Sequence, residues 1–170
     1  MERNFLLYKT MVDFFEGDPR RCQHFIKVAS LCRYLAAAEG ADAALAELVE
    51  AAGLVHDCGI KISEQKYGKG HCSGRQQEEE GPGPARKMLI ASGYAGEAVD
   101  RICYLVGHHH TYSNIDGLDY QILVEADFLV NFYEDAMDVG SIKSVVSSIF
   151  RTESGIALAK AMFGLNKKQA

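Results

Sequence analysis

Apolar residues recur along most of the chain at intervals of three and four positions, the spacing of one face of an α-helix. No segment has the alternating pattern of a half-buried strand. Glycines and Asp-Pro or Ser-Asn turn signals separate the periodic segments. The pattern therefore predicts an all-α fold, a single-domain helical bundle of residues 1–170. Helices are predicted at 5–15, 19–39, 43–56, 85–92, 97–110 and 118–133, with two shorter helices in 141–165 packing on the rest.

Several helix boundaries can be read from individual residues. Asp18 and Asp42 stand where N-caps of the second and third helices are expected, and Pro19 suits a first helical position. Ser141 is predicted to cap the first of the two C-terminal helices, and the second is predicted to end near Gly164. The segment 61–81 is polar and rich in glycine, so it is predicted to be a connection. The tail 167–170 is predicted to be loose.

Polar residues interrupt the apolar stripes at a few positions that must face the core. His24 is in phase with Val28 and Leu35, and the three other members of the set are His56, His109 and Asp127. A single inward histidine is usually an ordinary core residue, but a buried aspartate without a partner costs several kcal/mol, so it must be paired or bound to metal. Inward histidines and acids from separate helices are how bundles build metal sites.

The residue pair at the end of the third helix, His56-Asp57, adds a second carboxylate beside this set. Adjacent residues point about 100° apart within a helix. At a last turn before a glycine, such as Gly59, both side chains can converge. A neutral imidazole beside a carboxylate suits a divalent metal. Taken alone, the pair is better explained by a core histidine and a helix C-terminal cap.

Composition narrows the function classes. A hydrophobic fraction of 48% is sufficient for a sizeable core. A net charge of −5 argues against binding duplex nucleic acid, although a small anionic substrate is compatible with a local basic patch or a metal. No apolar run has membrane-span length, and the first residues do not form a secretory signal. Five cysteines without a C-x-x-C pair favour reduced thiols and a cytoplasmic location.

The ordered set His24, His56-Asp57 and Asp127, the last within Val124-Glu125-Ala126-Asp127-Phe128, resembles the HD superfamily of metal-dependent phosphohydrolases. The resemblance covers about residues 20–135 and implies an all-α fold. It also implies that His24, His56, Asp57 and Asp127 hold one divalent metal ion, and that Asp57 bridges to a second ion where one is present. The candidate ions are Fe, Mn, Co, Ni, Zn and Mg, with iron or manganese favoured for a binuclear site.

The same resemblance directs attention to His108-His109-His110, because two-metal members add histidines between the pair and the last aspartate. Helical phase selects His109 as the inward ligand. His108 is a candidate catalytic group, whereas His110 is more simply a solvated residue at a helix end. Where two-metal members often carry another histidine, this chain offers Glu80 or Gln77, depending on the alignment. Glu80 is taken as a ligand candidate, with His71 as its rival.

Basic residues interleaved with glycines follow the His-Asp pair. In HD hydrolases a lysine close behind the pair often contacts phosphate, which makes Lys61 a candidate catalytic residue. Lys69 and Arg75 are candidate substrate-binding residues, since a glycine-rich backbone can approach an anion. The alternative is an ordinary surface loop. A structural zinc site built from His71-Cys72, Cys58 and Cys103 matches no common spacing.

The resemblance implies hydrolysis of a phosphomonoester or phosphodiester by metal-activated water, with a nucleotide as the leading substrate class. Asp57 is expected to orient that water or to accept its proton. Two alternatives stay open. One is a mixed-valence di-iron oxygenase on the same scaffold, and the other is a non-catalytic ligand-binding sensor or interaction module. A homodimer is compatible with the sequence, and the predicted partner is a small anionic phosphorylated substrate.

Overall fold

Ten α-helices follow one another in residues 2–166, the part of the chain that the computed structural model describes. No strand occurs among these residues, which confirms the all-α fold class. The tail 167–170, predicted to be loose, lies outside the described residues. The helices are α1 (Glu2–Phe14), α2 (Pro19–Ala38), α3 (Ala43–Val55), α4 (Gly59–Tyr67), α5 (Gly74–Glu80), α6 (Pro82–Ala91), α7 (Gly96–Val106), α8 (Leu118–Glu134), α9 (Val139–Ile149) and α10 (Glu153–Met162).

Local sequence explains the beginnings of the helices that carry the site. The Asp18 carboxylate accepts a hydrogen bond from the backbone N–H of Arg21, with Pro19 in the first turn of α2. Asp42 caps α3 in the same way through the N–H of Leu45, at 2.8 Å. Both predicted caps are confirmed.

The prediction that 61–81 is a polar connection was wrong, because two short helices occupy most of it. Gly68 ends α4 with a φ of 92°, a conformation that glycine adopts without strain. Ser73 and Gln76 then form a reciprocal capping box that starts α5. The polar composition hid these helices because they are short and bury few apolar side chains.

Two further boundaries differ from the prediction. Asp138, not Ser141, caps α9, since its carboxylate accepts from the backbone N–H of Gly140 and of Ser141. Helix α7 ends at Val106, and a turn over residues 107–110 follows it. His109 therefore lies on a turn and not within a helix.

One hydrophobic core takes residues from eight of the helices, with α4 and α5 outside it, within the described part of the chain. Helix α8 runs through this core and is buried on nearly every side between Asp119 and Val130. A helix in that position points polar residues inward along with its apolar ones. Within 2–166, no helix has both the length and the apolar character that crossing a bilayer requires.

Helices α2 and α3 approach closely at Gly53, so a larger residue there should force them apart. A Cβ at Gly53 would lie 2.8 Å from the Cα of Ala29 and 3.1 Å from the Sγ of Cys32. We expect Gly53→Ala to lower the free energy of unfolding by about 1 to 3 kcal/mol through overpacking. Urea denaturation measures the change.

Gly83→Ala in α6 is the matched control, since a Cβ there meets no atom within 4 Å beyond its own chain neighbours and the backbone of its own helix. It should change the free energy of unfolding by less than about 1 kcal/mol, because the gain in helix propensity is opposed by the restriction that Pro84 places on the residue before it. Equal stability of both variants would show that α2 and α3 do not need glycine at their contact.

Candidate metal centre

Four polar side chains converge where α2, α8 and the end of α3 meet. His24 comes from α2, Asp127 comes from α8, and His56 and Asp57 lie where the chain leaves α3 and turns into α4. The Nε2 atom of His24 lies 3.3 Å from Nε2 of His56 and 3.3 Å from Oδ1 of Asp127. Each of these two Nε2 atoms is 3.6 Å from Oδ2 of Asp57. The Nε2 atom of His56 lies 3.5 Å from Oδ1 of Asp127.

The separations among His24, His56 and Asp57 fit ligands of one cation, and an oxygen of Asp127 lies near both histidine nitrogens. Two atoms bonded at about 2.1 Å to one ion lie about 3.0–3.4 Å apart at right or tetrahedral angles. Two imidazole nitrogens and two carboxylate oxygens form a donor set suited to a divalent transition metal. His24, His56 and Asp57 form one of the groups in the described chain whose ligand atoms all lie within 4.8 Å of one another. The donors and their spacing thus fit a divalent metal.

The ring orientations direct Nε2 of each histidine toward the cluster. The Nδ1–H of His56 donates to the carbonyl of Gly53 at 2.9 Å. In the neutral ring this leaves the lone pair on Nε2, the atom that can bind a metal. The Nδ1–H of His24 donates to Oε2 of Glu134 at 3.0 Å. The side-chain amide of Asn131 donates to Oδ1 of Asp127 at 2.9 Å. Outer partners of this kind hold metal ligands in position.

Burial and mutual proximity set the charges of the group. Burial opposes a positive charge on His24, but the hydrogen bond to Asp127 and the charge of Asp57 outweigh it and raise its pKa to about 9. Burial likewise opposes ionisation of both aspartates. The neighbouring histidines nevertheless hold the pKa values of Asp57 and Asp127 below the usual range. A cation that binds the cluster therefore meets two carboxylates and displaces a proton from the imidazole of His24.

A second group of donors shares Asp57. The Oδ1 atom of Asp57, the oxygen opposite the one facing His24 and His56, lies 3.2 Å from Nε2 of His109. The Nδ1–H of His109 donates to the carbonyl of Val106 at 2.8 Å, so its Nε2 faces Asp57. His110 completes this group, in which the ligand atoms again lie within 4.8 Å of one another. The two oxygens of Asp57 thus face two separate donor groups.

A family model for the HD domain matches residues 21–142. The chain belongs to the HD-domain family. This HD family consists generally of metal-dependent hydrolases, and the converging His24, His56, Asp57 and Asp127 carry its pattern in this chain. The comparison with curated proteins and the comparison with solved structures both found no match.

Several residues predicted to serve the site of this HD protein lie elsewhere. The ammonium group of Lys61 donates to the carbonyl of Phe14 and lies 4.9 Å from the centre of its ring, because α4 turns Lys61 toward the end of α1. Glu80 forms an ion pair with Lys66 at 2.7 Å. Arg75 is exposed and pairs with Glu79 on its own helix. The structure therefore brings none of Lys61, Glu80 and Arg75 to the cluster.

The roles of the three consecutive histidines also change. His108 turns outward, stacks on Tyr104 with ring centres 4.1 Å apart, and donates from Nδ1 to the Tyr104 carbonyl. His110, predicted to be solvated, is part of the second donor group instead. The turn at 107–110 explains why His110 and not His108 lies in the donor group, since residues in the turn no longer follow the helical phase. His71 is exposed and belongs to neither donor group of the described residues.

Of the two residues that could replace the additional histidine of two-metal members, Gln77 lies beside the second donor group and Glu80 does not. Oε1 of Gln77 lies 3.1 Å from Nε2 of His110, at the edge of the second donor group.

Glu134 and Asn131 were not singled out from the sequence, although they stand seven and four positions after Asp127 and thus share its helical face. That spacing could have identified both residues as neighbours of the candidate ligand Asp127. The thiols of Cys58 and Cys103 point to backbone carbonyls, and neither donor group includes them.

A cavity of about 320 Å³ opens onto the cluster. Its walls include His24 and Asp57, and three basic residues also line it: Arg20, Arg21 and Lys69. Arg21 is held by ion pairs to Asp18 and Glu64 at 3.1 and 2.8 Å. Lys69, predicted to bind substrate, therefore lies beside the candidate metal centre.

Metal affinity of this HD protein should rise with pH. The pKa of His24, about 9, lies above the ordinary 6.5, and a metal binds only the deprotonated Nε2. We expect the affinity for Mn²⁺ to increase about tenfold per pH unit between pH 6.5 and 8.5, where one proton is displaced. Calorimetric titrations over this range measure it.

The stability of the metal-free protein should change in the opposite direction. A histidine whose folded pKa is raised contributes stability that is complete below pH 6.5 and is lost as the pH rises through about 9. A flat metal affinity across the range, or a metal-free protein that becomes more stable toward pH 9, would contradict the charge assignment of His24.

Proposed function

We propose that this protein is a metal-dependent phosphohydrolase that cleaves a phosphomonoester or phosphodiester of a small substrate, a nucleotide being the leading class. One observation carries the proposal: Asp57 directs its two oxygens into two donor groups, His24 and His56 on one side and His109 on the other. A carboxylate shared in this way suits two cations close together, the arrangement used by many phosphatases and nucleases. The family membership supports hydrolysis as the reaction type.

A divalent cation bound at this centre would lower the pKa of a water molecule and offset the negative charge of a phosphoryl group. The chain's own residues supply the rest. His24, His56 and Asp57 would hold the cation, with Oδ1 of Asp127 close to both histidine nitrogens, and the other carboxylate oxygen of Asp57 lies beside the second donor group. With a pKa held below its usual range, Asp57 stays ionised at neutral pH and can accept a hydrogen bond from the attacking water.

The cavity supports an anionic substrate of limited size. Lys69 and Arg20 line its wall and form no ion pair with another described residue, so their charges are available to a phosphate or another anionic group. Asn131 and Asp135, also on the wall, offer a neutral donor and an acceptor for a sugar or base. A cavity of about 320 Å³ suits a mononucleotide better than a polymer.

A second candidate function is a di-iron oxygenase on the same scaffold. The observation that favours it is the second donor group, since histidine nitrogens and a shared carboxylate also suit a pair of iron ions. A sensor without catalysis is less well supported, because a binding module has no chemical need for a complete ligand set with fixed ring orientations.

Elemental analysis of the purified protein, followed by phosphate release from a panel of nucleotides with the metal restored, tests the proposal. We expect at least one transition metal ion per chain and metal-dependent release of phosphate or of a nucleoside monophosphate. Two irons per chain with oxygen consumption and no phosphate release would establish the oxygenase instead. A folded protein that binds no added metal would refute both enzymes.

A further inference from the structure

The three inward histidines are held in two different ways. His56 and His109 each donate from Nδ1 to a backbone carbonyl of their own turn. His24 instead donates from Nδ1 to a side chain, the Oε2 atom of Glu134, at 3.0 Å. Because the backbone carbonyls are fixed by the turns, His24 is the member of this group whose orientation depends on a side chain that another helix supplies.

Glu134 is placed to hold that ring firmly. It is the last residue of α8, its side chain is only 13% exposed, and its second oxygen, Oε1, accepts from the ammonium group of Lys27. Lys27 follows His24 by three positions on α2, so both lie on the face that meets α8. The carboxylate is thus bound on one side by a charge and on the other by the imidazole N–H.

We propose that Glu134 is a positioning residue of the metal centre, which orients the His24 ring and strengthens its Nε2 atom as a metal donor. A charged acceptor on Nδ1 stabilises the tautomer with its lone pair on Nε2 and makes that nitrogen more basic, as carboxylate–histidine–metal arrangements do elsewhere. Lys27 acts indirectly, by holding the carboxylate. The inference rests on the proposed metal centre.

A Glu134 that only joins two helices would give a different result from a Glu134 that orients His24. If the Lys27–Glu134 ion pair only joins α2 to α8, removing either partner should lower stability by a similar amount and leave the metal site alike in both variants. If Glu134 acts on His24, loss of its charge should weaken metal binding, whereas loss of Lys27 leaves the bond to His24 in place.

The experiment compares Glu134→Gln and Lys27→Met by titration with Co²⁺ in competition with a chromophoric chelator, with thermal melting of the metal-free proteins alongside. Glu134→Gln should weaken Co²⁺ binding about 10- to 100-fold and shift the visible absorption bands of the bound cobalt. Lys27→Met should change the affinity by less than about threefold, because the exposed ammonium is largely screened.

Glu50→Gln is the matched control. Glu50 also links helices, accepting from Arg33 and from Asn4, and it lies away from both donor groups. It should leave cobalt affinity and spectrum unchanged. Wild-type affinity in Glu134→Gln, or equal losses in Glu134→Gln and Lys27→Met, would overturn the inference. Failure of the wild-type protein to bind Co²⁺ at all would instead refute the metal centre itself.

Discussion

Replacing Asp57 by alanine is expected to remove both metal binding and hydrolysis. The side chain faces both donor groups, with 3.6 Å from Oδ2 to Nε2 of His24 and 3.2 Å from Oδ1 to Nε2 of His109. Without it, both donor groups lose their shared carboxylate. The remaining histidines are neutral ligands, and they offset less of the positive charge of a cation. Phosphate release should fall by more than about 10³-fold, with metal content reduced in parallel. Elemental analysis and steady-state assays on the same preparation measure both.

Two further variants make this result interpretable. Asp57→Asn keeps the size of the side chain, so it separates the loss of charge from the creation of a cavity; it should lose activity nearly as completely. Asp13→Ala removes an exposed carboxylate paired with Lys9 on α1 and should change neither metal content nor rate. Undiminished activity in a folded Asp57→Asn protein would refute the assignment of this residue.

The largest effect on stability is expected at Glu125, two positions before Asp127. Its side chain is fully buried, and it accepts hydrogen bonds from Gln121 and from the backbone N–H groups of Arg151 and Thr152, at 2.6 to 3.0 Å. The hydroxyl of Thr152, the N-cap of α10, donates to its other oxygen. One carboxylate thus accepts from three polar groups where α9 ends and α10 begins.

Glu125→Ala should therefore lower the free energy of unfolding by about 3 to 5 kcal/mol, because several buried donors lose their acceptor at once. Chemical denaturation measures the change. Glu125→Gln keeps one acceptor oxygen and should cost less, about 1 to 2 kcal/mol. Glu153→Ala, at an exposed position in the same region, is the surface control and should have little effect. If Glu125→Ala were as stable as that control, the buried network would not hold α10 in place.

The sequence around Gly155 agrees with this role of Glu125. A Cβ at Gly155 would lie 1.9 Å from Oε2 of Glu125, so the first turn of α10 can approach the carboxylate only with glycine at that position. From the sequence, Glu125 was only a neighbour of the candidate ligand Asp127. Its function depends on which distant backbone groups reach it, and no local pattern contains that information.

Local signals account for much of the fold. Apolar spacing located the long helices, and side-chain oxygens at Asp18 and Asp42 marked two helix starts. The prediction for 61–81 was wrong because neither α4 nor α5 has a long apolar stripe; α5 begins with a side-chain capping box, and α4 ends at Gly68. Ser73 and Gln76 have the spacing of a capping box, a signal that the prediction of a glycine-rich connection did not use.

The sequence by itself placed His24 and Asp127 in the core, because helical phase sets them among apolar residues on faces that must be buried. Only the tertiary structure decided how these groups meet. The crossing of α2, α8 and the end of α3 brings donors from distant parts of the chain to within 3.6 Å, and the turn after α7 selects His110 over His108. A helix fixes the direction of a side chain about its own axis, but distances between helices depend on packing across the whole core.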